Sequence, residues 1–143
     1  KVYAGNAEAY IRQLDALDGE MRATLAALPP ERRRIITSHD AFGYLAEAYG
    51  LVVLAAQGVS TESEASPKGI ASLIRQIRRE RVPAVFVESI ADPRLMEQVA
   101  RESGARLGGR LYSDALSAPG GPASTYLDLM RANLRTIAEA LKG

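Results

Sequence analysis

The sequence predicts an α/β domain, a four-stranded parallel sheet in a (β/α)₄ three-layer lobe, preceded by a long N-terminal spine helix. Three observations predict it. Short apolar runs alternate with stretches of helical periodicity, the pattern of strand–helix–strand crossovers that build a parallel sheet covered on both faces. Polar residues close the strands, as expected where a sheet turns its carboxyl ends toward a ligand. And one apolar stripe, Tyr10, Leu14, Leu17, Met21, Leu25 and Leu28, runs on in steps of three and four ahead of any strand.

That stripe predicts a helix from Asn6 to Leu28, with Asn6 as N-cap, Glu8 at the positive end of the helix dipole and Pro29-Pro30 as the stop. Its length, roughly 34 Å at 1.5 Å per residue, exceeds what one small lobe needs. Gly19 within it costs about 1 kcal/mol relative to alanine. Arg33 to Thr37 reads as the first strand and Ala41 to Tyr49 as a short helix closed by Gly50. Leu51-Val52-Val53-Leu54-Ala55 is continuously apolar, which predicts a strand buried on both faces. A polar loop from Gln57 to Ser66, holding Glu62 and Glu64, leads to Ser66-Pro67, a cap and first-turn proline for a helix bearing Ile70, Leu73, Ile74 and Ile77.

Ala84 to Glu88 is the third strand. Asp92-Pro93 caps a helix with Leu95, Met96 and Val99 inward and Gly104 beyond its end. Arg106 to Tyr112 is a fourth strand, weakened by Gly108-Gly109. After a loop rich in glycine and proline, Leu127, Met130, Leu134, Ile137 and Leu141 define a last helix over about Ala123 to Leu141. The domain reading is therefore a linking helix over residues 1–30 and an α/β lobe over 31–143.

Composition narrows the function. A chain of 143 residues, 47% hydrophobic and 24% charged, is an ordinary globular composition. Net charge +1 gives no global attraction for nucleic acid, and Arg75, Arg78, Arg79 and Arg81 read as a solvated helix face without interleaved aromatics. No apolar run is long enough to span a membrane. The opening Lys1-Val2-Tyr3-Ala4-Gly5-Asn6 has no apolar signal core, yet it enters a long helix abruptly, as a fragment lacking an upstream part would. Without cysteine there are no disulfides and no thiolate metal sites.

Chemistry then has to pass through His39, the single histidine, at the tip of Ile35-Ile36-Thr37-Ser38-His39-Asp40. His39, Glu88 and Asp114 all fall at strand ends, and one imidazole with two carboxylates on one rim is a credible metal set. The bland alternative, a satisfied structural histidine, remains open on the residues alone. Ser38, His39 and Asp40 are consecutive and cannot meet as a catalytic triad does. Gly58-Val59-Ser60, Gly108-Gly109 and Gly120-Gly121-Pro122 match no phosphate loop. Glu88 with Asp114 as an acid/base pair has no nucleophile nearby. If the strands are ordered 2-1-3-4, Glu88 is central while Asp114 must reach inward from a strand about 9–10 Å from the first, so geometry alone favours Glu88 over Asp114 as the partner of His39.

Thr37-Ser38-His39-Asp40-Ala41-Phe42-Gly43-Tyr44-Leu45, Glu64-Ala65-Ser66-Pro67-Lys68, Val85-Phe86-Val87-Glu88-Ser89, Leu111-Tyr112-Ser113-Asp114-Ala115-Leu116-Ser117 and Gly121-Pro122-Ala123-Ser124-Thr125-Tyr126-Leu127 together resemble the metal-binding solute-binding proteins of ABC transporters. The resemblance implies two α/β lobes joined by a rigid helix, of which this chain is the helix and the C-terminal lobe. It implies that an N-terminal lobe, with a signal peptide and two histidine ligands, is missing here, and that His39 and Asp114 are the two ligands of this lobe. Glu88 has no ligand role in the family pattern and is expected behind the ligands. Several manganese-selective relatives carry glutamate where His39 stands, so the resemblance favours Zn2+ over Mn2+, held by three imidazoles and one carboxylate. It further implies no enzyme activity, a periplasmic or membrane-associated extracytoplasmic location, an ABC permease as partner and a site that holds metal weakly or stands empty in this lobe alone. An adhesion module on the same lobes and a hydrolase using His39 with Glu88 are the competing readings.

Overall fold

The computed structural model describes residues 2–56 and 66–142. The polar loop with Glu62 and Glu64, Gly58-Val59-Ser60 and the first half of Glu64-Ala65-Ser66-Pro67-Lys68 lie outside the described residues. The chain runs α1 (Val2–Ala26), a single 3-10 turn (Pro30–Arg32), β1 (Arg34–Thr37), α2 (Gly43–Tyr49), β2 (Val52–Ala55), α3 (Pro67–Glu80), β3 (Ala84–Glu88), α4 (Arg94–Ser103), β4 (Arg106–Leu111) and α5 (Tyr126–Lys142). All strand pairs are parallel and the order is β2-β1-β3-β4.

Successive strand residues point to opposite faces, and the apolar side chains sort accordingly. Ile35 and Phe86 pack with Leu17, Met21 and Leu25 of α1 and Ile137 and Leu141 of α5. Ile36, Val85 and Val87 pack on the other face with Leu73 and Ile77 of α3 and Met96 and Val99 of α4. Each buried Leu, Ile or Phe contributes about 1.5–3 kcal/mol over leaving it in water, so the two layers hold the sheet from both sides. Every residue of β3 is buried.

Helix ends follow local chemistry. Ser66 Oγ accepts the Gly69 N–H at 3.1 Å, and Pro67 occupies the first turn of α3. Asp92 Oδ1 accepts the Arg94 N–H at 2.9 Å ahead of α4, while Pro93 takes the cap position itself. Gly50 and Gly104 close α2 and α4 in the left-handed conformation, at φ 69° and 81°. Arg75, Arg78, Arg79 and Arg81 are exposed.

Four expectations change. Asn6 is not an N-cap, because α1 already begins at Val2 and Asn6 lies inside it. The apolar run of β2 is not buried on both faces. It is an edge strand with Val52 45% exposed, since the sheet order leaves it one neighbour among the described residues. Ala41 and Ala123 lie before their helices, which start at Gly43 and Tyr126. The last of these starts late because Thr125 caps it: Thr125 Oγ1 accepts the Asp128 N–H at 3.2 Å and donates to Asp128 Oδ2 at 2.7 Å. Gly108 and Gly109 have a positive role rather than only weakening β4. A Cβ on Gly108 would fall 2.5 Å from Phe86 Cε1 and 2.9 Å from Ala140 Cβ, and Gly109 has φ 118°. The β3–β4 register shifts beside them, between Val85 and Val87.

Candidate metal centre

The crossover from β1 goes to β2 through α2 on one face, and that from β3 goes to β4 through α4 on the other. A crevice therefore opens at the carboxyl ends of β1 and β3, where parallel α/β sheets bind ligands. His39 leaves the end of β1 and Glu88 is the last residue of β3, so both stand in it.

His39 is only 2% exposed. The turn that carries it is held by the Thr37 hydroxyl, which donates to the His39 carbonyl at 2.9 Å. Glu88, fully buried, grips the same residue twice. Its Oε2 accepts the His39 backbone N–H at 2.7 Å, and its Oε1 stands 2.7 Å from the ring Nδ1. The second contact has ion-pair distance but not hydrogen-bond alignment, and among the described residues both atoms otherwise lack a partner. The opposite ring nitrogen, Nε2, faces Asp114 Oδ2 at 3.2 Å. Asp114 lies beyond β4 with its side chain 60% exposed, so the Nε2 flank of the buried ring is covered by a carboxylate that itself borders solvent.

Burial pulls the His39 pKa down, but the close approach and charge of Glu88, then the charge of Asp114, outweigh it and hold the imidazole above its usual range. A ring between two carboxylates is best satisfied with both nitrogens protonated. An ion that took the Nε2 position would displace one of those protons and leave Nδ1–H toward Glu88, the arrangement by which a supporting carboxylate orients a metal-binding histidine. Nε2 and the Asp114 carboxylate are thus the two donors able to reach a common ion, and Glu88 stands behind the ring. Among the described residues no group of three His, Asp or Glu side chains is arranged to hold a metal ion.

The structure brings together all three residues singled out in the sequence, and in the strand order 2-1-3-4. Glu88, which geometry alone favours, makes the closer approach to the His39 ring, and Asp114 reaches inward to the other ring nitrogen through its loop, as that strand order requires. Sequence reasoning missed Asn133, buried in α5, whose Oδ1 accepts the Tyr112 N–H at 2.8 Å and whose Nδ2 donates to the Tyr112 carbonyl at 2.7 Å. One signal was available: Asn133 is a polar residue set within the apolar stripe of the last helix.

A profile of the family described as periplasmic component A of the zinc-uptake complex (ZnuA) matches residues 1–140. The iron-binding protein YfeA of Yersinia pestis is 37% identical over 97% of this chain and 45% of its own length. The zinc-binding protein TroA of Treponema pallidum is 41% identical over 94% of this chain and 45% of its own. The solved structure of TroA superposes with a TM-score of 0.92 at 38% identity, covering 97% of this chain and 52% of that one. A manganese-bound periplasmic metal-binding protein of Candidatus Liberibacter asiaticus superposes with a TM-score of 0.86 at 34% identity, covering 97% and 51%. The chain spans about half the length of the curated relatives it matches.

Proposed function

The chain belongs to the family of periplasmic zinc-uptake components, the metal-binding solute-binding proteins of ABC transporters, and from that premise we propose that it is the helix and C-terminal lobe of a two-lobed protein that captures zinc outside the cytoplasmic membrane and hands it to an ABC permease. The family is one of metal-binding transport components, not of enzymes. No helix among the described residues is long and apolar enough to cross a membrane.

The observation that carries the reading is the His39–Asp114 pair, 3.2 Å apart, with the Asp114 side chain bordering solvent and Glu88 behind the ring. His39 and Asp114 are the proposed ligands, and Glu88 the residue that orients His39. Structural zinc takes about four protein ligands, so two donors form half a shell and the remainder would come from the opposing lobe. A shell filled by protein groups leaves no open water position, which suits carriage rather than hydrolysis. Zinc is favoured because His39 supplies a nitrogen donor where an all-oxygen site would suit manganese better. One observation supports manganese as the second reading: the Liberibacter relative is manganese-bound.

Calorimetry tests this directly. Zinc titrated into this chain alone should bind weakly, and nanomolar affinity would overturn the half-shell. In the two-lobed protein, His39→Ala and Asp114→Ala should each lower zinc affinity by more than the about 10–100-fold typical of losing a supporting residue. Unchanged affinity in either variant removes that residue from the ligand set, and a tighter manganese than zinc isotherm reverses the metal assignment.

A further inference from the structure

Asp114 has no secondary structure of its own to fix it. β4 ends at Leu111, and β3, its only partner strand among the described residues, ends at Glu88. The last inter-strand link at this edge is the Ser89 N–H to the Leu111 carbonyl at 2.8 Å. Tyr112, the next residue, thus has a peptide N–H and C=O with no strand to meet them. The side-chain amide of Asn133 takes that role. It accepts from the Tyr112 N–H at 2.8 Å and donates to the Tyr112 carbonyl at 2.7 Å, as a neighbouring peptide group would. Only one orientation of the amide satisfies both, because the flipped one sets N–H against N–H and oxygen against oxygen.

Asn133 itself is held firmly. It is 1% exposed in the middle of α5, one residue from Leu134 and four from Ile137, both buried. The far end of the same loop is clasped as well, by the Ser117 N–H to the Ala123 carbonyl at 2.9 Å and by the Ala123 N–H to Ser117 Oγ at 3.0 Å. The segment carrying Asp114 is therefore tied at both feet, and its upstream tie lies two residues from the carboxylate.

We propose that Asn133 is a positioning residue for Asp114: through its paired hydrogen bonds to Tyr112 it fixes where the Asp114 carboxylate meets His39 Nε2, and so sets metal affinity without touching the ion. The role for metal rests on the ligand reading above, but the positioning of Asp114 against His39 does not, and the two can fail separately.

The experiment uses Asn133→Leu, which keeps the branched shape and the number of heavy atoms but makes neither hydrogen bond, and Asn133→Asp, which keeps the acceptor for the Tyr112 N–H and loses the donor. The first readout needs no metal. His39 is the only histidine, so its ring 15N and 1H NMR signals are free of overlap, and those of Nε2, which faces Asp114 while Nδ1 faces Glu88, report the contact with Asp114. Asn133→Leu should move those signals toward their positions in Asp114→Ala, with Asn133→Asp intermediate, while the core methyl signals stay in place. His39 signals identical to the unsubstituted chain in both variants would overturn the proposal. The second readout is zinc chloride titrated into the two-lobed protein. Asn133→Leu should weaken zinc about 10–100-fold, the range for residues that orient a ligand, yet add no further loss on top of Asp114→Ala. Full additivity in that double variant would overturn the proposal, by showing that Asn133 acts on something other than Asp114. If Asp114→Ala leaves zinc affinity unchanged while the NMR result holds, the ligand reading falls and the positioning of Asp114 stands.

Discussion

At the scale of a single residue, the behaviour of His39 is governed by the carboxylate behind it. Its pKa is raised in the fold against the opposing pull of burial, chiefly through Glu88. A histidine of raised pKa stabilises the fold in its protonated form. That contribution is complete below the unfolded value of about 6.5 and fades as pH rises through the higher folded value. Metal binding runs the other way, since an ion at Nε2 must displace a proton, so zinc affinity should weaken as pH falls through the same range. Glu88→Gln should lower the His39 pKa, read from the single histidine by NMR. The amide would also present its own N–H to either the ring or the backbone N–H, disturbing the tautomer that leaves Nε2 free. Zinc affinity should fall about 10–100-fold in consequence. An unshifted histidine titration in Glu88→Gln would show that the 2.7 Å approach of Oε1 to Nδ1 has no electrostatic weight.

At the scale of elements, two glycines make opposite predictions. Gly108 of β4 lies under the Phe86 ring and against Ala140 of α5, with no room for a Cβ. Gly108→Ala should cost about 1–3 kcal/mol, as overpacking of a filled core does. Gly19 of α1 is exposed and a Cβ there meets nothing within 4 Å. Gly19→Ala should therefore stabilise by up to about 1 kcal/mol through helix propensity alone. Urea denaturation of the two variants checks both signs. In the sequence these glycines look alike, each a blemish in a regular element, because what separates them is the distance to side chains far away in the chain. The same limit explains β2. Its apolar run reads as a doubly buried strand, and only the sheet order makes it an edge. What periodicity and caps do encode is local: the inward face of α3, the Ser66 cap, the Gly50 and Gly104 stops and the closing polar residues of β1 and β3 were all legible. His39 and Glu88 were legible for that reason, as ends of strands. Asp114 was legible as a residue beyond a strand end that has to reach inward, but how far it reaches was not, because that depends on a loop clasped by residues up to twenty-one positions away.

At the scale of the whole molecule, α1 divides into two halves with different surroundings. From Leu17 onward it is part of the lobe. Leu17, Met21 and Leu25 are buried, Tyr49 donates to Asp18 Oδ1 at 2.9 Å, and Arg131 of α5 reaches Glu20 through two bonds of 3.0 and 3.1 Å. Arg33 closes its end by donating to the Leu28 and Ala26 carbonyls at 2.9 and 3.0 Å. The half nearer Val2 has no such packing: Tyr3 is 90% exposed, Ile11 54% and Tyr10 44%. Helical hydrogen bonds without tertiary support open easily, since isolated helical segments of under about 12–15 residues are marginal in water. Amide hydrogen exchange on this chain should therefore show strong protection from Leu17 to Ala26 and a steep loss toward Val2. Uniform protection along α1 would mean that the exposed half is stable without a partner. The two-lobed reading adds a second arm. With the preceding lobe present, the amides around Tyr3, Tyr10 and Ile11 should become protected, because these apolar side chains would then be covered and α1 would be a spine fixed at both ends. If exchange there stays fast in the longer protein, the helix does not join two lobes rigidly, and metal capture would have to work without a fixed distance between the halves of the site.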